Sequence, residues 1–254
     1  MPTANVFIQC TALFFPCSVV SFMMEHDALL EQLAVCVERG KRDAASPHPP
    51  EMRGEDGADE WTLRGLGSGI PPQRVLDDGL IVGMNRIGVK FREKKVFVPD
   101  VLLAARAMSA GMAHLAPYFQ SQEIRRQGTF IIGTVRGDLH DIGKKLVGMI
   151  AEGAGWEVLD LGTDVAPEGF AKAASEHPDA TVGMSALLTT TMLNMKESIE
   201  AVKAASPRTR IIVGGAPLSA SFAESIGADA YGRDPQSAVD FLRMSTADAA
   251  RTAE

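Results

Sequence analysis

In the second half of the chain, short apolar runs alternate with amphipathic stretches of ten or more residues. The runs predict β-strands at Thr129–Thr134, Glu157–Leu161, Ala180–Ser185, Arg210–Val213 and Ala228–Tyr231. Helices fit between them at Asp141–Gly153, Pro167–Ser175, Thr190–Ala205 and Ser219–Ile226, with a last one from Pro235 to Met244. Five strand–helix units in succession predict an α/β fold, a doubly wound five-stranded parallel sheet with helices on both faces. Such sheets bind ligands outside the carboxyl ends of their strands, which directs attention to the loops beginning near Val135, Gly162, Ser185 and Gly214.

The first half carries the helical period instead. Leu29, Leu30, Leu33, Ala34 and Val37 share one face of a helix over Asp27–Arg39, stopped by Gly40. From Lys41 to Gly69 the pattern collapses into Ser46-Pro47-His48-Pro49-Pro50 and the acidic stretch Gly54–Glu60, which reads as a loop or disordered insertion. Gly65, Gly67 and Gly69 do not form a phosphate loop, because no strand precedes them and two prolines follow. A helix from Pro72 to Gly88 turns Val75, Leu76, Leu80, Met84 and Ile87 inward. Another runs from Pro99 and Asp100 through Leu115 and is ended by Pro117, with a short one following to about Arg126. The plan is an uncharged tail at 1–24, a helical domain at 25–126, an α/β domain at 128–246 and a tail at 247–254.

Composition narrows the function. Of 254 residues 46% are hydrophobic, enough for a buried core and too many for a disordered chain. Twenty-five Lys and Arg against 32 Asp and Glu give a net charge of −7, which argues against nucleic acid. Cys10, Cys17 and Cys36 lack zinc-site spacing and suggest a reducing, cytoplasmic compartment. Met1–Met24 is uncharged, but Pro16 interrupts the apolar run and Gln9, Thr11, Ser18 and Ser21 dilute it. Both points weigh against a signal peptide or membrane span, and a start at Met23 or Met24 is the alternative.

The chemistry concentrates on three loops. After the first strand comes Arg136-Gly137-Asp138-Leu139-His140-Asp141-Ile142-Gly143. A carboxylate two residues before a histidine can hold one ring nitrogen and leave the other free for a metal, although an isolated Asp-x-His is more often surface polarity. After the third strand, Ser185 and Thr189-Thr190-Thr191 place four hydroxyls at a strand end, more than helix capping needs. After the fourth, Gly214-Gly215-Ala216-Pro217 lets a ligand lie against backbone or makes a plain tight turn.

Asp138-x-His140-x-x-Gly143, Ser185-x-Leu187 and Gly214-Gly215, in this order on successive loops, resemble the Rossmann-like cobalamin-binding domain of corrinoid proteins. That family includes the corrinoid subunits of methanol, methylamine and aryl-ether methyltransferase systems and the cobalamin module of methionine synthase. The helical half is similar to the family's cap domain through Gly83-Met84-Asn85-x-Ile87-Gly88-x-Lys90-Phe91 and Val96-Phe97-Val98-Pro99-Asp100. The likeness extends from about Pro71 to Met244; it departs at Lys41–Gly69, where the family has a continuous helix, and at Arg136, where it has Lys. The resemblance implies His140 as the lower axial ligand of cobalt, hydrogen-bonded by Asp138 with Thr191 continuing the relay. Gly137, Asp141 and Gly143 would complete that loop, and Ser185, Leu187, Thr189, Gly214 and Gly215 would line the slot for the displaced nucleotide tail. Phe91, Val98 and Met84 would approach the cofactor from the cap.

The function so implied is a methyl carrier whose cobalamin cycles between cob(I)alamin and methylcobalamin. Its partners would be a substrate-specific methyltransferase, an acceptor methyltransferase using tetrahydrofolate or a thiol, and a corrinoid-activating reductase. Two alternatives share the sheet half. A mutase cobalamin subunit would lack the cap sequence, and a cobalamin-dependent sensor would normally add a DNA-binding helix-turn-helix.

Overall fold

The computed structural model describes residues 17–252, with side chains over 24–245. Of the tails expected at 1–24 and 247–254, residues 1–16 and 253–254 lie outside what is described, whereas 17–24 belong to the first helix and 247–252 to the last. The helical half comprises α1 (Cys17–Glu38), a 3₁₀ turn (Pro50–Met52), α2 (Ala58–Gly67), α3 (Pro72–Arg74), a π segment (Val75–Leu80), α4 (Ile81–Arg92) and α5 (Val98–Gln120). The α/β half alternates β1 (Thr129–Thr134), α6 (Ile142–Gly153), β2 (Glu157–Asp160), α7 (Pro167–Glu176) and β3 (Thr181–Ser185), then α8 (Asn194–Ala205), β4 (Ile211–Gly214), α9 (Ala220–Ser225), β5 (Ala230–Gly232) and α10 (Pro235–Thr252).

The sheet is entirely parallel in the order β2-β1-β3-β4-β5. Strand order reverses between β1 and β3, where the connections leave in opposite directions and open a crevice at the carboxyl ends. Successive β1 residues feed different cores, as strand alternation demands. Phe130 and Ile132 join a core shared with α6, α10 and the whole helical half, whereas Ile131 joins the core beneath α7, α8 and α9.

Four departures from the sequence reading have physical causes. The stretch expected to be a loop over 41–69 contains α2. The acidic run that disguised it supplies the helix start, with the Glu60 carboxylate accepting from Gly57 N–H at 2.8 Å and from Ala44 N–H at 3.0 Å. Helix α5 continues past Pro117 to Gln120, since a proline in the last turn sacrifices little. The short helix expected after it is absent: Gln122 takes φ +62° and turns the chain, and Ile124 N–H closes the turn on Tyr118 O at 3.2 Å. Finally, α8 begins at Asn194 and not at Thr190, for a reason found in the site.

The halves meet where α4 lies against α6 and α10. Met84 is buried, and its side chain occupies the space a Cβ at Gly153 would need. Arg92 reaches Asp240 at 2.7 Å and Asp234 at 3.4 Å, just beyond β5. The turn between α4 and α5 thus sits at the carboxyl end of the sheet.

Candidate functional site

The loop after β1 leaves the sheet at Val135, which bridges to Val165 in the loop after β2. Gly137 adopts φ +81°, a left-handed backbone open to glycine at little cost. Next to it Asp138 is wholly buried, whereas the His140 side chain is 52% exposed. Asp138 Oδ1 accepts from His140 N–H at 3.0 Å and lies 2.7 Å from His140 Nδ1. Its Oδ2 accepts from Leu187 N–H at 2.8 Å, Leu188 N–H at 3.3 Å and the Thr191 hydroxyl at 2.7 Å.

Burial works to raise the Asp138 carboxyl, but hydrogen bonds from Thr191, from the backbone at His140 and Leu187 and from the His140 ring outweigh it. The group is held well below the usual carboxylate range. An ionised carboxylate has no proton to give, so His140 Nδ1 donates to it, and in the neutral tautomer so fixed the lone pair lies on Nε2. The same network explains the late start of α8. Leu187 and Leu188 spend their N–H groups on Asp138, and Thr191 is buried against it, so the segment through Leu193 is a turn.

Around the imidazole stands an apolar rim. Leu139 is 73% exposed and Ile142 75%, and Leu187 and Leu188 are also exposed. Large apolar side chains gathered on one edge of an acidic protein mark a binding face. Of these the sequence reading identified only Leu187. Two bulky apolar residues flanking a loop histidine were the available signal for Leu139 and Ile142.

Beside the rim a narrow cavity of about 50 Å³ runs between the sheet and α6 and α10. Ser185 and Gly214 line it, together with Gly183, Gly232, Phe130 and Val147. Gly215 does not line it. It has φ +142°, and a Cβ there would stand 1.8 Å from Ala186 O, so its bare backbone lets the loops after β3 and β4 close on each other. Thr189 is on the exposed turn after the rim.

The remaining predicted residues divide. Asp141 pairs with Lys145, whose hydrogen bond lowers its carboxyl, and Gly143 faces open space in the first turn of α6. Phe91 and Val98 are partly buried against the helical core, close to the turn held by Arg92. Phe97 between them is 71% exposed and was missed. Met84 requires correction: fully buried on Gly153, it fastens the halves and has no surface to offer a cofactor.

These features suit a metal that brings most of its own ligands. Among the described residues no group of three or more His, Cys, Asp or Glu could hold a bare ion. One neutral imidazole nitrogen on an apolar rim, beside a glycine-lined slot, matches a flat macrocycle with an appended tail. The B12 binding domain family matches residues 128–240, and a second family of the same description matches residues 54–116. Dimethylamine corrinoid protein 1 of Methanosarcina acetivorans is 35% identical over 219 residues, covering 85% of this chain and 96% of that one. The chain belongs to the B12-binding corrinoid proteins. Trimethylamine corrinoid protein 2 of the same organism is 39% identical over 193 residues, covering 74% of this corrinoid protein and 89% of that relative. A chain of the methanol:cobalamin methyltransferase complex MtaBC from Methanosarcina barkeri superposes with TM-score 0.70 over 94% of each chain at 22% identity, a likeness of fold. The cofactor of this corrinoid protein is cobalamin. No helix among its described residues is long and apolar enough to cross a membrane. The match at 54–116 begins before α2, so the helix missed in the sequence belongs to the cobalamin-binding unit.

Proposed function

We propose that this corrinoid protein is a methyl carrier, with His140 as the lower ligand of cobalt in place of the cofactor's own base. The observation that carries the reading is the fully buried, ionised Asp138 beneath a half-exposed His140, which fixes the imidazole with its lone pair on Nε2. A bound corrinoid supplies a cobalt centre able to take up and release a methyl group.

The chain's own residues then have distinct tasks. Asp138 holds the proton on Nδ1 and so would keep Nε2 of the imidazole directed at a bound cobalt. Thr191 and the Leu187 N–H keep Asp138 ionised while it does so. Leu139, Ile142, Leu187 and Leu188 would form an apolar bed for the ring, and Ser185 and Gly214 would line the mouth of the slot for the tail. Phe97, exposed at the same end of the molecule, would meet the cofactor from the helical half together with the partly buried Phe91 and Val98. The partners are a substrate methyltransferase, an acceptor methyltransferase and a reductase that restores oxidised cobalt. The names of the relatives make a methylated amine the donor to try first.

The test is reconstitution with hydroxocobalamin, followed by reduction to Co(II) and electron paramagnetic resonance. The unaltered chain is expected to show splitting from one protein nitrogen, and His140→Ala to lose it while keeping its fold. Persistence of the same splitting in His140→Ala would refute the assignment.

A further inference from the structure

The loop after β2 was considered in the sequence only as one of four strand-end loops, and no role was given to any of its residues. In the structure it runs alongside the loop that carries Asp138 and His140. Thr134 N–H donates to Gly162 O at 3.0 Å, and Val165 N–H donates to Thr134 O at 2.9 Å. Between these contacts Asp164 adopts φ +55°, a left-handed conformation uncommon for any residue but glycine and tolerated best by Asn and Asp. It makes two hydrogen bonds to the neighbouring loop. Its Oδ1 accepts from Gly137 N–H at 2.7 Å, and its own N–H donates to Asp138 O at 3.0 Å.

Those two bonds bracket the most flexible point of the site loop. Gly137 has the widest choice of backbone angles in the segment, and it directly precedes the residue that aims His140. A bond to the N–H before that pivot and another to the C=O after it remove the freedom a glycine would otherwise bring. Asp164 itself is exposed, so packing does not account for its unusual backbone. Strained residues held in this way gather at ligand clamps.

We infer that Asp164 is a positioning residue of the cobalamin site, which clamps the Gly137–Asp138 segment and so sets the direction of the His140 Nε2 lone pair. The inference rests on the reading of His140 as the cobalt ligand. It adds a second tier of support, in which Asp138 orients His140 and Asp164 orients Asp138.

Two substitutions separate the clamp from the backbone shape. Asp164→Gly keeps the left-handed conformation and removes the acceptor, whereas Asp164→Asn keeps both. Each is made in the full chain and reconstituted with hydroxocobalamin. The readouts are cobalamin affinity by titration, nitrogen splitting of the Co(II) signal, and the thermal midpoint of the cofactor-free chain. Asp164→Gly is expected to bind cobalamin about tenfold more weakly, the lower end of the range for residues that support a metal ligand, and to lose much of the nitrogen splitting. Asp164→Asn should match the unaltered chain, and neither midpoint should move appreciably because the side chain is exposed. Full affinity and full splitting in Asp164→Gly would overturn the proposal, as would equal losses in both variants. Absence of nitrogen splitting in the unaltered chain would instead remove the His140 assignment, and the clamp with it.

Discussion

Asp138 gathers donors from His140 N, His140 Nδ1, Leu187 N, Leu188 N and the Thr191 hydroxyl around one buried carboxylate. An amide cannot serve them all, because its NH₂ would meet another donor on one side. Asp138→Asn is therefore expected to weaken cobalamin binding by about 10- to 100-fold, measured by titration with hydroxocobalamin. The cofactor-free chain should lose stability as well, with a defined pH dependence. The folded carboxyl lies below its unfolded value of about 3.9, so its contribution is complete above that pH and is lost as pH falls toward the depressed folded value. Urea unfolding should show a gap between the unaltered chain and Asp138→Asn that narrows as pH falls below about 4. A gap of undiminished size at pH 3 would contradict this account.

At the level of elements, local periodicity carried most of the α/β half. Thr129–Thr134 was predicted at its observed limits, and the other strands lie within two residues of theirs, because buried parallel strands are short apolar runs between turn residues. Local pattern failed where a distant partner decides. Thr189-Thr190-Thr191 reads as the start of a helix, yet the Thr191 hydroxyl and the Leu187 and Leu188 backbone just before it are held by a carboxylate some fifty positions earlier. The 41–69 stretch failed differently: its charges concealed buried Ala58, Thr62 and Gly65 on one face of α2. In the site, the hydrogen-bonded grouping of Asp138, His140 and Thr191 was legible because two of its members lie two positions apart in sequence and the resemblance supplied the third. The rim residues other than Leu187, and Asp164, were not, since exposure and left-handed backbone leave little trace in composition. Gly215 illustrates the difference between a residue that touches a ligand and one that lets loops meet. Gly215→Ala would drive a methyl group into Ala186 O, and it is expected to lower unfolding stability by about 3 kcal/mol in urea titrations. An unchanged midpoint would return Gly215 to the list of slot residues.

For the molecule as a whole, the boundary near residue 127 divides the sequence but not the packing. The core of the helical half continues through α6 and α10 to the face of β1 and β4, with Met84 near its middle. Met84→Ala should accordingly cost about 2–5 kcal/mol of unfolding free energy, as a buried cavity does, while leaving the nitrogen splitting of the reconstituted protein intact. Loss of the splitting without loss of stability would show instead that Met84 meets the cofactor. This continuity also bears on how a partner reaches cobalt. To draw the helical half away from the site end is to uncover Ile81, Met84, Ile87 and Ile150 at once, and water is a poor replacement for what they now touch. On the function proposed above, a partner enzyme would bring its own apolar surface to that newly exposed stripe. On that reading, access to the cofactor would trade one protein contact for another.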